Sequence, residues 1–235
     1  MDTHLPGYLR KSKPGAPCVL LVGPAFESAK EVMLHQLAEV FLKRGMSVVY
    51  FDGPGQGEMV GKLSMNIADF DDAISIVIDF LAEQGDLVDR ERIGILGVSL
   101  GGYLAMRSSV KDRRIAACIG LTGNFDGHCI LNVAPKVQRD MLYGFGFGDG
   151  EPIPHPDEFI PPLSTLEQAI TTPLLLIHGG KDHISTPDQL DKLRAWVRGP
   201  TDVWLYEDEG HVCYSRFGDI LPAMGDWMAD ILLTS

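Results

Sequence analysis

A chain of 235 residues, 45% hydrophobic and with a formal net charge of −12, has the bulk for one substantial core and a small insertion. The acidic balance, with no basic run longer than Arg10–Lys13, argues against a nucleic-acid partner. No stretch approaches about 18 consecutive apolar residues, and Met1–Lys13 lacks the apolar core of a signal peptide, so neither a membrane span nor export is expected. Cys18, Cys118, Cys129 and Cys213 are scattered without a C-x-x-C pair, which fits free thiols in the cytoplasm. Cys18 and Cys118 lie in or beside strand-like runs and read as small buried hydrophobes.

Residues 1–17 are polar, punctuated by Pro6, Pro14 and Pro17, and read as a lead-in outside the core. "CVLLV" (18–22) is a short apolar run between Pro17 and Gly23, the pattern of a buried strand. Ser28 followed by Glu31 resembles a capping box, and Met33, Leu34, Leu37 and Phe41 give a one-sided helix ending at Gly45. "MSVVYF" is the next strand, Ile67 to Glu83 an amphipathic helix, "RIGILG" a strand, Leu100 to Val110 a helix and "IAACIG" a strand. The alternation then breaks from Leu121 to Thr172, a segment containing "YGFGFGDGEPIPHP". Such length without structure is unusual, so 121–172 is expected to be a small, partly helical insertion lying over something. Order returns with strand "LLLIH", a helix near Pro187 to Trp196, strand "DVWLY" and a closing helix from about Phe217 to Leu233. Continuously apolar strands separated by helices predict an α/β domain, with a mostly parallel sheet of about six strands covered on both faces. Its core is split into 18–120 and 173–235 by the insertion.

The sharpest motif is "GILGVSLGG", in which Gly97-Val98-Ser99-Leu100-Gly101 matches G-x-S-x-G between a predicted strand and a predicted helix. A nucleophile elbow needs small residues on both sides of a strained serine, so that its hydroxyl stands above the sheet edge. Serine needs a base, and the base an orienting carboxylate, in the chain order Ser, acid, His. Asp182, just past the strand in "LLLIHGGKDHISTP", and His211, in "VWLYEDEGHVCY" after the last strand, occupy the expected positions. Asp208 is the rival acid, whereas Asp188 suits the start of the helix after Pro187. For an oxyanion, the Leu100 N–H is one expected donor. Phe26 or Ala25 in "VGPAFES" is the second, with Phe26 preferred because its side chain could also wall the pocket. Pro24 has no N–H to offer.

The remaining histidines read blandly. His178 ends a strand and suits a hydrogen bond holding the Asp182 turn, His183 points away from it, and His35 lies on a helix. His128 and His155 fall in the insertion without ligand spacing, so no metal is expected. "YFDGPGQGE" (50–58) superficially suggests a phosphate-binding loop, but neither the dinucleotide nor the Walker spacing is present. It reads as a tight turn, with Glu58 anchoring the loop or reaching the pocket rim.

Together "GVSLGG", "HGGKDHISTP" and "DEGHVCY" resemble the α/β-hydrolase superfamily over nearly the whole chain. "FESAKEVM", "RGMSVVYFDGPGQGEM" and "GHVC" resemble, more narrowly, the group of 2,6-dihydroxypseudooxynicotine hydrolases, fungal polyketide-shortening hydrolases and FrsA-like esterases. The resemblance implies Ser99 as nucleophile, Asp182 as acid and His211 as base, with no cofactor. It also implies a helical N-terminal cap domain for which this sequence offers no counterpart. The site would then be closed by 121–172, by a second copy in a homodimer, or hardly at all. Tyr143, Phe145 and Phe147 are expected as walls for a small apolar or aromatic carbonyl substrate. The expected reaction is carboxylic ester hydrolysis through an acyl-enzyme. The alternatives are carbon–carbon hydrolysis of aryl diketones and a noncatalytic binding protein on the same fold.

Overall fold

The structure, a computed structural model, describes residues 4–24, 29–148 and 150–234. Its strands are β1 (Gly7–Arg10), β2 (Ala16–Val22), β3 (Ser47–Phe51), β4 (Val88–Val98), β5 (Ile115–Leu121), β6 (Leu174–Gly179) and β7 (Thr201–Tyr206). The helices are α1 (Met33–Leu42), α2 (Ile67–Glu83), α3 (Leu100–Lys111), α4 (Pro135–Gly144), α5 (Pro156–Phe159), α6 (Pro187–Trp196) and α7 (Phe217–Leu232).

The strands form one sheet in the order β1-β3-β2-β4-β5-β6-β7, parallel except for β1. β2, β3 and β6 are buried at every position, which is why they read as unbroken apolar runs. Leu34, Leu37 and Phe41 of α1 and Met224 and Met228 of α7 cover one face. Phe70 and Ile74 of α2, Leu104 of α3 and Leu190 of α6 cover the other. α2 starts where the Asn66 side chain accepts the N–H groups of Ala68 (2.9 Å) and Asp69 (3.4 Å).

Two expectations change. The sheet has seven strands rather than about six, because the lead-in supplies β1, antiparallel to β3 from Gly7↔Phe51 to Arg10↔Val48. Four residues at a half-exposed edge are too few to show a period. The first helix begins at Met33, with no side-chain cap, and Ser28 lies outside the described residues.

The insertion holds α4, α5 and two short 3-10 turns, Gly127–Leu131 and Leu163–Thr165. Much of it belongs to the core, since Ile160, Leu163 and Ile170 are fully buried. Tyr103 Oη ties it to α3 by donating to Pro161 O (2.7 Å), and Gln189 Oε1 accepts Phe125 N–H (2.8 Å). From β2 the chain moves to β3 on one side, and from β4 it runs to β7 on the other. The crevice beyond the carboxyl ends of β2 and β4 is therefore the topological switch point, where open α/β sheets bind ligands.

Candidate active site

Ser99 stands at that switch point, between the end of β4 and the start of α3, with φ 56° and ψ −120°. A non-glycine residue held there costs on the order of 1–3 kcal/mol. Its neighbours leave the chain little choice. Ser99 N–H donates to Leu121 O (2.9 Å) and Gly102 N–H donates to Ser99 O (2.8 Å). A Cβ on Gly97 would lie 1.9 Å from Gly101 O, and one on Gly101 would lie 2.3 Å from Gly23 O. The two motif glycines are thus a steric requirement of the turn.

Asp182 follows β6 and His211 follows β7. His211 Nε2 lies 2.9 Å from Ser99 Oγ, and His211 Nδ1 lies 2.7 Å from Asp182 Oδ2. The other Asp182 oxygen accepts the N–H groups of Ile184 and Ser185, each at 2.9 Å, and the side chain is wholly buried. His178 Nε2 donates to Ser185 O at 2.8 Å, the bond expected to hold this turn. Burial pushes the His178 pKa below the ordinary histidine value, so the ring serves as a neutral donor. Asp208, the rival acid, points to solvent and pairs with Lys181 (2.7 Å). Behind His211, Val212 (φ 68°) and Cys213 (φ 54°) take left-handed conformations. For a β-branched valine this is a genuine outlier.

A cavity of about 360 Å³ opens over Ser99 and His211. Its walls are mostly apolar, including Met33, Leu100, Val133, Val137 and Met141, with His183 and Tyr214 also present. Leu100 lies in the first turn of α3, where backbone N–H groups have no helical partner. Phe26 and Ala25 lie outside the described residues. The expected wall residues Tyr143, Phe145 and Phe147 are not among the residues lining this cavity. Tyr143 is 59% exposed, and Phe145 and Phe147 pack edge-to-face on Phe159 at centroid distances of 4.9 and 5.4 Å. Helix geometry explains the correction: Val137 and Met141, four apart, share the cavity face of α4, and Tyr143 is turned about 200° from Met141. That i, i+4 apolar pair was the overlooked signal. His183, expected to point away from the acid, lines the cavity.

Glu58 is an anchor, with Oε1 2.6 Å from Lys30 Nζ. One group of metal-ligand type occurs among the described residues: Asp126, His128 and Asp157 offer donor atoms within 4.8 Å of one another. Asp126 is already committed, with Lys192 Nζ at 2.9 Å from one oxygen and Gln189 Nε2 at 3.0 Å from the other. The cluster reads as an ion-pair network tying the insertion to α6. All four cysteines are buried and free, and desolvation pushes each thiol up to about 12. Among the described residues, no helix is long and apolar enough to cross a membrane.

Sheet order, elbow and flanking helices define a member of the α/β-hydrolase superfamily. Residues 33–232 match the prolyl oligopeptidase family, and the chain belongs to that family. It is 31% identical, over 97% of its length, to the 2,6-dihydropseudooxynicotine hydrolase of Paenarthrobacter nicotinovorans, of which it spans 62%. A crystal structure of 2,6-dihydroxy-pseudo-oxynicotine hydrolase superposes with a TM-score of 0.85 at 28% identity, over 98% of this chain and 65% of that one. A 20-hydroxy-prefusarin hydrolase of Gibberella moniliformis is 42% identical over 136 residues, 53% of this chain and 32% of that protein. The chain thus spans less than two thirds of these longer relatives.

Proposed function

We propose that this chain is a serine hydrolase that cleaves carboxylic esters through an acyl-enzyme, with Ser99 as nucleophile, His211 as general base and acid, and Asp182 as orienting carboxylate. What carries the reading is the unbroken hydrogen-bonded line from Asp182 through His211 to Ser99, at 2.7 and 2.9 Å. In the acylation step Ser99 Oγ attacks the substrate carbonyl while His211 Nε2 takes its proton, and the carbonyl oxygen becomes an oxyanion. The Leu100 N–H, in the first turn of α3, is the proposed donor to it, with the Phe26 N–H expected from the sequence alone as the second. Collapse expels the alcohol, which leaves with the proton from His211. Water then attacks the acyl carbonyl and gives a proton to the same nitrogen. As the intermediate collapses, His211 returns that proton to Ser99 Oγ, which departs from the carboxylic acid as the free hydroxyl. The apolar cavity suits a small apolar or aromatic acyl or alkyl group, and none of these steps needs a cofactor. The proposed setting is the cytoplasm.

Carbon–carbon hydrolysis of an aryl 1,3-diketone would use the same residues but must expel an enolate, which asks for a further donor. An alcohol asks less of the protein, so the ester is preferred. Mass spectrometry after fluorophosphonate treatment tests the class: one adduct on Ser99, lost in His211→Ala, is expected, and no adduct on the folded protein would sink it. Aryl esters assayed beside aryl 1,3-diketones test the substrate. Turnover of the diketones alone would reverse the preference.

A further inference from the structure

The glycine loop after β3 contacts the chain just beyond β2 without lining the Ser99 cavity. Gln56 is 2% exposed and uses both ends of its carboxamide. Oε1 accepts Gly53 N–H at 3.2 Å, and Nε2 donates to Pro24 O at 2.8 Å and to Gly23 O at 3.3 Å. Those two carbonyls stand just beyond β2, and Pro24 is a wall of the Ser99 cavity. Gly23 O in turn abuts the first turn of α3, only 2.3 Å from where a Cβ on Gly101 would stand. Contact therefore runs from Gln56 through Gly23 to Gly101, two residues from Ser99.

Asp52 is the second grip. Its Oδ1 accepts Lys30 N–H (3.0 Å), and its Oδ2 accepts Lys30 Nζ (2.8 Å) and Glu58 N–H (3.0 Å). Gly57, at φ 42°, has to be glycine, because a Cβ there would lie 2.3 Å from the Asp52 carboxylate. The loop sequence is what such a clamp requires: glycines for close approach, one carboxamide and one carboxylate, both buried and both satisfied.

We propose that Gln56 is a positioning residue: its carboxamide holds the chain at the end of β2 against the Ser99 turn, and so sets the position of the serine hydroxyl relative to Pro24, the cavity wall at that end of β2. The inference rests on the serine-hydrolase reading. Alignment errors well below 1 Å are costly in such sites, so the effect belongs in the chemical step rather than in substrate binding.

The test uses p-nitrophenyl butyrate with two variants. Gln56→Met keeps the length and removes all three hydrogen bonds. With folding verified by circular dichroism, kcat should fall about tenfold to a hundredfold while KM stays within about twofold. Gln56→Glu keeps the acceptor for Gly53 N–H but donates to Pro24 O only when protonated. Its kcat relative to wild type should therefore rise as pH is lowered from about 8 to about 6, a titration that a purely structural residue would not create. A folded Gln56→Met with kcat within about twofold of wild type overturns the proposal. If the Met variant does not fold, the Glu ratio decides, and a ratio flat in pH overturns it. Fluorophosphonate separates the two levels. Wild type labelled on Ser99, with both variants unaffected, removes this inference alone, whereas unlabelled wild type removes the hydrolase reading and this with it.

Discussion

Replacing Asp182 with asparagine changes one atom and should remove the base function proposed for His211. Oδ1 of Asp182 accepts two backbone N–H groups at 2.9 Å, so an asparagine must put its carbonyl oxygen there. Its NH2 then faces His211 Nδ1, which in wild type lies 2.7 Å from Oδ2. To accept that donor Nδ1 must be bare, and the neutral ring carries its proton on Nε2, the nitrogen 2.9 Å from Ser99 Oγ. The ring then donates to the hydroxyl instead of receiving its proton. A wrong tautomer of this kind costs about 10⁴ in kcat in serine proteases, or about 5.4 kcal/mol of barrier at about 1.36 kcal/mol per tenfold. The backbone hydrogen bonds survive, so the unfolding midpoint should hardly move. Initial rates on p-nitrophenyl butyrate, with a urea melt of the same preparation, measure both quantities. A correctly folded Asp182→Asn within about tenfold of wild type would mean that Asp182 does not set the tautomer of His211.

Three other outcomes follow from the geometry. Gly101→Ala would put a Cβ 2.3 Å from Gly23 O and 2.5 Å from Val22 O, both backbone atoms; a loss of about 1–3 kcal/mol or more in urea unfolding is expected. Met141→Ala should raise KM for aryl esters severalfold, whereas Tyr143→Ala, which alters no residue lining the Ser99 cavity, should leave KM within about twofold. His178 is held below its unfolded pKa of about 6.5, so its contribution to stability is complete above that pH and is lost as pH falls toward the folded value. Stability measured by urea unfolding from about pH 7 to about pH 5 should accordingly fall more steeply in wild type than in His178→Gln, and equal slopes would contradict this.

Much of this architecture is legible in the chain because buried parallel strands write themselves as apolar runs. β2, β3 and β6 announce themselves in this way, whereas β1 is half-exposed and four residues long. Ser99, Asp182 and His211 could be picked out because a strand end precedes each one and their chain order is constrained. The cavity walls were not legible for the opposite reason. The aromatic run near "YGFGF" draws attention by composition, yet Phe145 and Phe147 spend their rings on Phe159. The quieter pair Val137 and Met141 faces the serine. The hydrogen bond from Gln56 to Pro24 O joins residues 32 apart in the chain, and no local pattern marks such a pair. Asp126, His128 and Asp157 likewise come together only through the folding of the insertion.

In the proposed mechanism Ser99 carries the acyl group between two half-reactions. Rapid mixing with p-nitrophenyl butyrate, acid quench within the first turnover and peptide mass spectrometry test it directly. A butyryl increment on the peptide containing Ser99, formed with one equivalent of p-nitrophenol and absent in Ser99→Ala, is expected. Steady product formation with no acylated peptide, or with the acyl group on another residue, would contradict it.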